Sequence, residues 1–357
     1  MPFNVPTIRQ LINTGAQDIQ IELDEQLPIV GVERALNIAF SGSVRDLYDY
    51  QSWIVAQIIP SPNSDDQTII DTARNEGVIQ KQATFATGPV VFNGNRPIPL
   101  DTEMQTATGI GYSVIDAGES ANGIITVIVQ ANIIGSTGNI DGESTLTLIQ
   151  PIAGVESVGV VGDDGIRNGT DIEPISELLD RLLFRKRNPP VGGAVHDYVG
   201  WVREVPGVSR AWAEDLWHGL GTVGLAWVYD GRTDITPTSA DKIAMHEYLF
   251  RHTDPATGEY VGKPGGTEVW IFDLTLKPLN PNIKLTPDTA ETRAATLTNL
   301  NLLQRQLSPG ETLLLSALRT AIGTANGVKD YQLNIAADIT CQDEELITIG
   351  EVTWLTA

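Results

Sequence analysis

Between residues 43 and 58 the apolar positions Leu47, Tyr50, Ile54 and Ile58 recur at steps of three and four. That spacing places them on one face of a helix, and Trp53 and Val55 widen the apolar surface. Ser43 is suited to cap this helix, with Asp46 three positions on in the acidic variant of the capping box. Pro60 and Pro62 stop it, because proline cannot continue the hydrogen-bond ladder. A shorter helix is predicted from Asp66 to Asn75, with Ile69, Ile70 and Ala73 on one side, so residues 1–75 read mostly as helix. From about Lys81 to Val161 the period changes to two. Ile125, Val127, Val129 and Ala131 alternate with Ile124, Thr126, Ile128 and Gln130, which predicts a central strand apolar on both faces. Thr145, Thr147 and Ile149 alternate with Leu146 and Leu148 in the next strand. Turn clusters at Asn93-Gly94-Asn95 and from Gly138 to Gly142 separate the strands. Several short strands in so few residues suggest a small β-sandwich or barrel-like domain.

The polar loop Asp163–Gly169 is the best boundary in the chain. Beyond it, Ile175, Leu178, Leu179 and Leu182 form the stripe of an amphipathic helix, with Pro174 suited to its first turn. Asp171, Glu173 and Glu177 lie near its start and Arg185, Lys186 and Arg187 near its end, which complements the helix dipole. The remainder repeats one order of elements. A helix ends in Gly207-Val208, a strand follows, and Gly221-Thr222-Val223 opens another. Later a helix ends in Gly327-Val328, a strand follows, and Gly350-Glu351-Val352 opens the last strand. This echo predicts two small α/β units of related topology, for which ferredoxin-like split β-α-β units are the economical expectation. Between the two echoes, a helix is predicted from about Ser239 to His252 and a strand from Glu268 to Leu276. The second unit adds a strand near Ile283 and helices from about Pro287 to Gln306 and from Glu311 to Gly323.

The predicted fold class is therefore α+β and multidomain. A helical arm covers residues 1–75, a β-sandwich-like domain 76–162, and a linker with a connecting helix 163–190. The α/β units cover 191–278 and 279–357. A chain of 357 residues supports several cores, and 41% hydrophobic with 19% charged residues is a globular composition.

Charge narrows the function. With 23 basic against 45 acidic residues the net charge is −22, so the chain repels phosphate backbones and is not expected to bind nucleic acid. Cys341 is the only cysteine, which excludes an intrachain disulfide and cysteine-based zinc sites. The opening MPFNVPTIRQLINTG has no charged start leading into an apolar run, and no apolar run approaches the ~20 residues of a spanning helix. Synthesis in a cytoplasm, without membrane insertion, is the expectation.

Motifs that suggest chemistry meet plainer explanations. Gly219 to Gly224 matches G-x-G-x-x-G, but dinucleotide binding needs a helix after it. Here Val223, Leu225, Trp227 and Tyr229 alternate as a strand, so a hairpin turn is expected. His196, His218, His246 and His252 form no metal-ligating pair. Asp163, Asp164, Asn168, Asp171 and Glu173 could ring a hard cation, yet the EF-hand pattern is absent and an acidic loop before a helix explains them. No catalytic triad context or marked carboxylate pair occurs. Neither an enzyme nor a cofactor or metal site is expected. Trp201, Trp212, Trp217 and Trp227 cluster, and aromatic clusters are enriched at interfaces. Trp201 and Trp227 sit on the apolar phase of their elements and read as core. Trp217, beside His218 at the hairpin, reads as an interface candidate with Leu47, Tyr50, Trp53, Ile54 and Ile58.

The order of features from Asp163 to Tyr229 is specific: G-x-D-x-E, a Leu/Arg helix, P-P-x-G-G, D-Y-x-x-W, V-x-G-V and G-x-G-T-V. It resembles the baseplate J-like family. Pro97–Thr102, Tyr112, the run ANIIGSTGNIDG at Ala131–Gly142, Gly327–Tyr331 and Ile349–Val352 are similar to further family stretches. Leu100-Asp101 departs from the Ala-Gly more usual in the family. The resemblance runs from roughly residue 30 to the C-terminus. It implies a structural subunit of the baseplate wedge of a contractile phage tail, or of a related contractile injection system, located in the virion and assembled in the host cytoplasm. It further implies N-terminal helices that join partner subunits and C-terminal domains that pack against copies of the same chain. Those domains would form an inner ring around the tail tube, with tube, hub and sheath as indirect neighbours, and help trigger sheath contraction. A tail-fibre or carbohydrate-binding module is the rival expectation.

Overall fold

A computed structural model describes residues 4–28, 30–118, 120–255 and 257–355. The chain divides into two compact units, residues 1–80 with 174–186 and residues 81–173 with 187–357.

The first unit is helical. It contains α1 (Ile8–Leu23), α2 (Val32–Ile58), α3 (Asp66–Asn75) and most of α4 (Ile175–Arg187). The helix predicted to begin at Ser43 is longer than expected. Ser43 lies inside α2, and its hydroxyl donates to the Ala39 carbonyl one turn back instead of capping. The capping spacing was a coincidence within a continuous helix. The core of this unit joins α3 to α4: Ile69, Ala73 and Val78 meet Leu178, Leu179 and Leu182, the stripe read from the sequence. Arg181 donates to the Ile79 carbonyl at 3.2 Å, and Lys186 pairs with Glu76 at 2.8 Å.

The second unit begins with strands β1 (Phe85–Asn93), β2 (Glu103–Gln105), β3 (Gly111–Asp116), β4 (Ser120–Ala121), β5 (Ile124–Ile134), β6 (Thr145–Leu148) and β7 (Val158–Val161). The hydrogen-bonded order is β1-β7-β6-β2-β3-β5-β4, and β1 also pairs with β5. That last pairing closes a six-strand ring, so the domain is a barrel and not a sandwich. Closure removes the free edges that two facing sheets would keep. It also corrects the expectation for β5. The strand is central, but only Ile125, Val127, Val129 and Ala131 are buried, while Ile124 faces out. A barrel has one interior, filled here by Phe92, Ile98, Met104, Tyr112, Leu146 and Ile166 among others. The Tyr112 hydroxyl donates to the Gly138 carbonyl at 2.8 Å, which satisfies the one polar atom that this ring brings into the core.

Beyond the barrel come α5 (Val195–Val202), β8 (Arg210–Asp215), β9 (Thr222–Val228), α6 (Ser239–Phe250), the short pair β10 (His252–Thr253) and β11 (Tyr260–Val261), and β12 (Glu268–Ile271). The sheet order is β12-β9-β8, with β8 antiparallel and β12 parallel to β9. A split β-α-β unit inserts a strand between its two parallel strands. Here β9 and β12 are direct neighbours, so the arrangement is a simple β-α-β crossover with a hairpin strand added. Strand β9 is covered on both faces. Leu225 and Trp227 meet Tyr198, Val202, Met245 and Leu249, while Ala226 and Val228 meet Phe272, Leu274 and Leu346.

The predicted strand Glu268–Leu276 is two strands. It breaks after β12, and β13 (Thr275–Leu279) pairs in parallel with β16 (Glu345–Ile349). Then β14 (Asn282–Thr286), α7 (Ala290–Gln306), α8 (Leu315–Gly323), β15 (Asp330–Leu333) and, after β16, β17 (Thr353–Trp354) complete the chain. Their sheet order is β15-β14-β17, again one antiparallel and one parallel pair. The sequence echo is therefore half realised. Gly207-Val208 and Gly327-Val328 both precede the antiparallel edge strand. Gly221-Thr222-Val223 opens the central strand, whereas Gly350-Glu351-Val352 leads into the parallel edge.

Candidate functional site: the apolar helical arm

Helix α1 starts with a reciprocal cap, Gln10 N–H donating to the Thr7 hydroxyl at 3.3 Å and Thr7 N–H to the Gln10 side chain at 2.8 Å. It pairs with α2 through a polar seam. Asn37 donates to the Ile12 carbonyl at 2.8 Å, and Ser41 reaches Asn37 Oδ1 at 3.5 Å. Gly15 makes the close approach possible, because a Cβ there would lie 2.2 Å from Asn37 Oδ1. Arg45 donates to the Pro6 carbonyl at 3.1 Å and pairs with Asp49 at 2.7 Å.

The result inverts the usual amphipathic helix. The buried residues of α2 are Asn37 and Ser41, and α1 buries none. Leu47 is 61% exposed, Tyr50 58% and Ile58 69%, with Trp53, Ile54 and Val55 exposed beside them. Tyr50 and Trp53 stack at 5.7 Å, and Trp53 Nε1 donates to Asp65 at 3.0 Å, so the aromatic pair is held in place while remaining open to solvent. The sequence reading missed the N-terminal half of the face. Val32, Leu36, Phe40 and Val44 recur every four residues, and all four are exposed. Helical spacing from 32 onward was the available signal.

Trp217 is placed differently. Its ring stacks on Phe272 at 4.4 Å and covers Gly224, where a Cβ would meet it at 2.6 Å. It is half-buried and closes its own fold. The G-x-G-x-x-G run is the β8–β9 turn, with β9 beginning at Thr222.

Three of the five residues weighed as cation ligands, Asn168, Asp171 and Glu173, point to separate partners. Asp171 accepts from the backbone and hydroxyl of Ser136 at 3.0 and 2.7 Å, and these bonds lower its pKa. Glu173, fully buried at its side chain, accepts from the Lys81 amide at 3.0 Å and faces Lys81 Nζ at 3.9 Å. Lys81 Nζ donates to the Val208 carbonyl at 2.9 Å and the Arg203 carbonyl at 3.3 Å, which ties the barrel to the end of α5. Asn168 accepts from Arg232, whose guanidinium pairs with Asp241 at 2.6 Å. Burial raises the Asp241 pKa, but Arg232 and the Thr238 N–H and hydroxyl outweigh it and hold the carboxyl below its ordinary value. Among the described residues no group of three His, Cys, Asp or Glu side chains is placed to hold a metal ion. A third ionic joint links the two α/β units. Arg210 holds Asp230 through two bonds of 2.9 and 2.8 Å and donates to the Gln304 carbonyl, near the end of α7, at 2.9 Å. A cation there also complements the helix dipole.

Comparison with known proteins matches these parts in order. Residues 82–166 match the Baseplate J-like protein barrel domain, 190–273 the Baseplate J-like central domain, and 279–355 the Baseplate J-like protein C-terminal domain. The chain is 36% identical to baseplate protein gp47 of Escherichia phage Mu, over 99% of this chain and 100% of that protein. It is 32% identical to the Mu-like prophage FluMu protein gp47 of Haemophilus influenzae, over 99% and 100%. A solved structure of the anti-feeding prophage baseplate aligns over 96% of this chain and 90% of that chain, with a TM-score of 0.38 and 10% identity. With three consecutive domain matches and full-length relatives at this identity, the chain belongs to the baseplate J-like family.

Proposed function

We propose that this protein is a structural part of the baseplate of a contractile tail, or of a related prophage system, and belongs to the tail of the assembled particle. Within the baseplate we assign it to the wedge, in an inner ring around the tail tube, where it helps relay the signal for sheath contraction. The observation that carries an assembly role is the exposed apolar face of α2. A 27-residue helix with solvent-facing Leu, Ile, Phe and Trp is at odds with an unpartnered chain. Its chemistry fits the face of another helix, supplied by a neighbouring baseplate protein or by a second copy of this chain. The ionic joints at Lys81 and Arg210 support the relay, because they bond the start of the barrel to the end of α5 and one α/β unit to the other. The reading includes no catalytic step. Asp171 and Glu173, two of the acidic residues that could have served one, are engaged in structural bonds. Three-dimensional imaging of tails that carry a small internal label on this chain tests the assignment. Label density in a ring at the tube end of the tail is the expected result. Density along fibres, or particles without the protein, would overturn it.

A further inference from the structure

The turn between β8 and β9 combines features that a plain hairpin does not need. Leu216 has a left-handed backbone, with φ of 55°, a conformation that costs a bulky side chain energy and that Gly or Asn would take at lower cost. Four residues on, Leu220 is 94% exposed, and Leu216 itself is 55% exposed. The backbone around them is firmly tied. His218 N–H donates to the Thr222 hydroxyl at 2.8 Å, that hydroxyl donates to the Gly219 carbonyl at 2.7 Å, and Gly219 N–H donates to the Leu216 carbonyl at 3.0 Å. Trp217 anchors the base on Phe272, and the His218 ring meets the Trp270 ring edge-on at 4.6 Å. The turn is thus a rigid loop that holds two leucines out in water, and stored backbone strain of this kind gathers at working surfaces.

The surroundings of the leucines are acidic. Glu214 and Asp215 lead into the turn and Glu268 stands beside it, paired in register with Thr222, and all three are exposed. Lys263, the one cation between Asp254 and Glu268, donates back to the Thr267 carbonyl.

We propose that the β8–β9 tip is a docking knob for a different protein, one that presents an apolar pocket rimmed by Lys and Arg side chains. Leu220 enters the pocket, Leu216 and Trp270 cover its margin, and Glu214, Asp215 and Glu268 meet the basic rim. Charge complementarity selects this occupant over a second copy of a chain whose net charge is −22. The rigid turn lowers the ordering cost of binding. The proposal uses none of the α2 residues; only the assay material, tail particles that contain the chain, rests on the baseplate reading.

A photo-crosslinking amino acid at position 220 of the full chain, irradiated within assembled tails, tests the proposal. Its expected product is one dominant adduct to a different tail protein, on an apolar peptide flanked by Lys or Arg. An adduct to a second copy of this chain, an adduct to a peptide without basic neighbours, or reaction with water alone would overturn it. An independent measurement co-expresses wild type and Leu220→Ser as full chains and counts each in purified particles. Losing one buried leucine predicts a preference for wild type of roughly ten- to a hundredfold, while the exposed substitution leaves the thermal midpoint of the free chain unchanged. Equal incorporation overturns the docking role. Absence of both chains from particles would instead refute the baseplate reading.

Discussion

Replacing Leu47, Tyr50 and Ile58 together by glutamine separates a docking face from a misjudged core. Glutamine is a good helix former, so α2 keeps its backbone preference. In the free chain the three side chains are 61%, 58% and 69% exposed. Little apolar burial is lost with them, apart from the Tyr50–Trp53 stack at 5.7 Å. Exposed substitutions of this kind change stability by about 0.5 kcal/mol or less each, so the unfolding free energy falls by no more than about 1 to 2 kcal/mol. Association is another matter. Fully burying a Leu or Ile side chain contributes roughly 1.5–3 kcal/mol, and more than half of that remains to be gained when a partner covers α2. Three positions then contribute about 3–5 kcal/mol, a weakening of roughly a hundred- to several-thousand-fold in binding. The assay pairs urea unfolding of the purified chain with co-sedimentation of the same variant when it is co-expressed with the other products of its tail gene cluster. The expected outcome is near-native unfolding and loss of co-sedimentation. An unfolding free energy lowered by 3 kcal/mol or more, or undiminished co-sedimentation, refutes the assembly role of this face.

Lys81→Met removes the cation facing buried Glu173 and the donor to two carbonyls. Denaturant unfolding should show a loss of about 3 kcal/mol, and a loss under 1 kcal/mol would rule out the joint as a structural lock. Gly224→Val puts side-chain atoms where Trp217 now lies; a cost of about 1–3 kcal/mol is expected, with a red shift in tryptophan emission as the ring moves toward solvent, and unchanged emission counts against the packing described. Burial, reinforced by the charge of Asp241, pushes the Tyr229 hydroxyl up to about 12. A folded value above the unfolded one means stability is complete below about pH 10 and declines toward pH 12, by roughly 3 kcal/mol; Tyr229→Phe should flatten that decline in thermal scans, and parallel curves would refute it. Asp241 has the opposite sign, since Arg232 and Thr238 hold its folded pKa below the ordinary carboxylate value. Its contribution is present above about pH 4 and is lost as the pH falls through the folded value, so wild type should lose thermal stability in acid more steeply than Asp241→Asn.

The local elements were legible in the chain because they follow from short-range periodicity. The stripes Ile69-Ile70-Ala73 and Ile175-Leu178-Leu179-Leu182 recur at helical spacing, and both became buried faces. Alternation found β5, β6 and β9, and Gly219–Gly224 read correctly as a hairpin turn once its flanks were weighed. The order of glycines, prolines and aromatics carried the family, since each marks a backbone position that few residues can fill. What stayed hidden depends on contacts between residues far apart in sequence. Alternation in β5 could not say whether one face or two would be covered; the β1–β5 pairing decided that by closing a barrel with a single interior. The break between β12 and β13 reflects their different partners, β9 for one and β16 for the other, which no local pattern encodes. Trp217 looked like an interface residue because its immediate neighbours are polar and glycine-rich, but Phe272, 55 positions away, takes its ring. For α2 the sequence showed an apolar stripe, and either face of the helix could have turned inward. Asn37 and Gly15 settled it, because their close approach buries the polar side against α1 and leaves the hydrophobic side facing solvent.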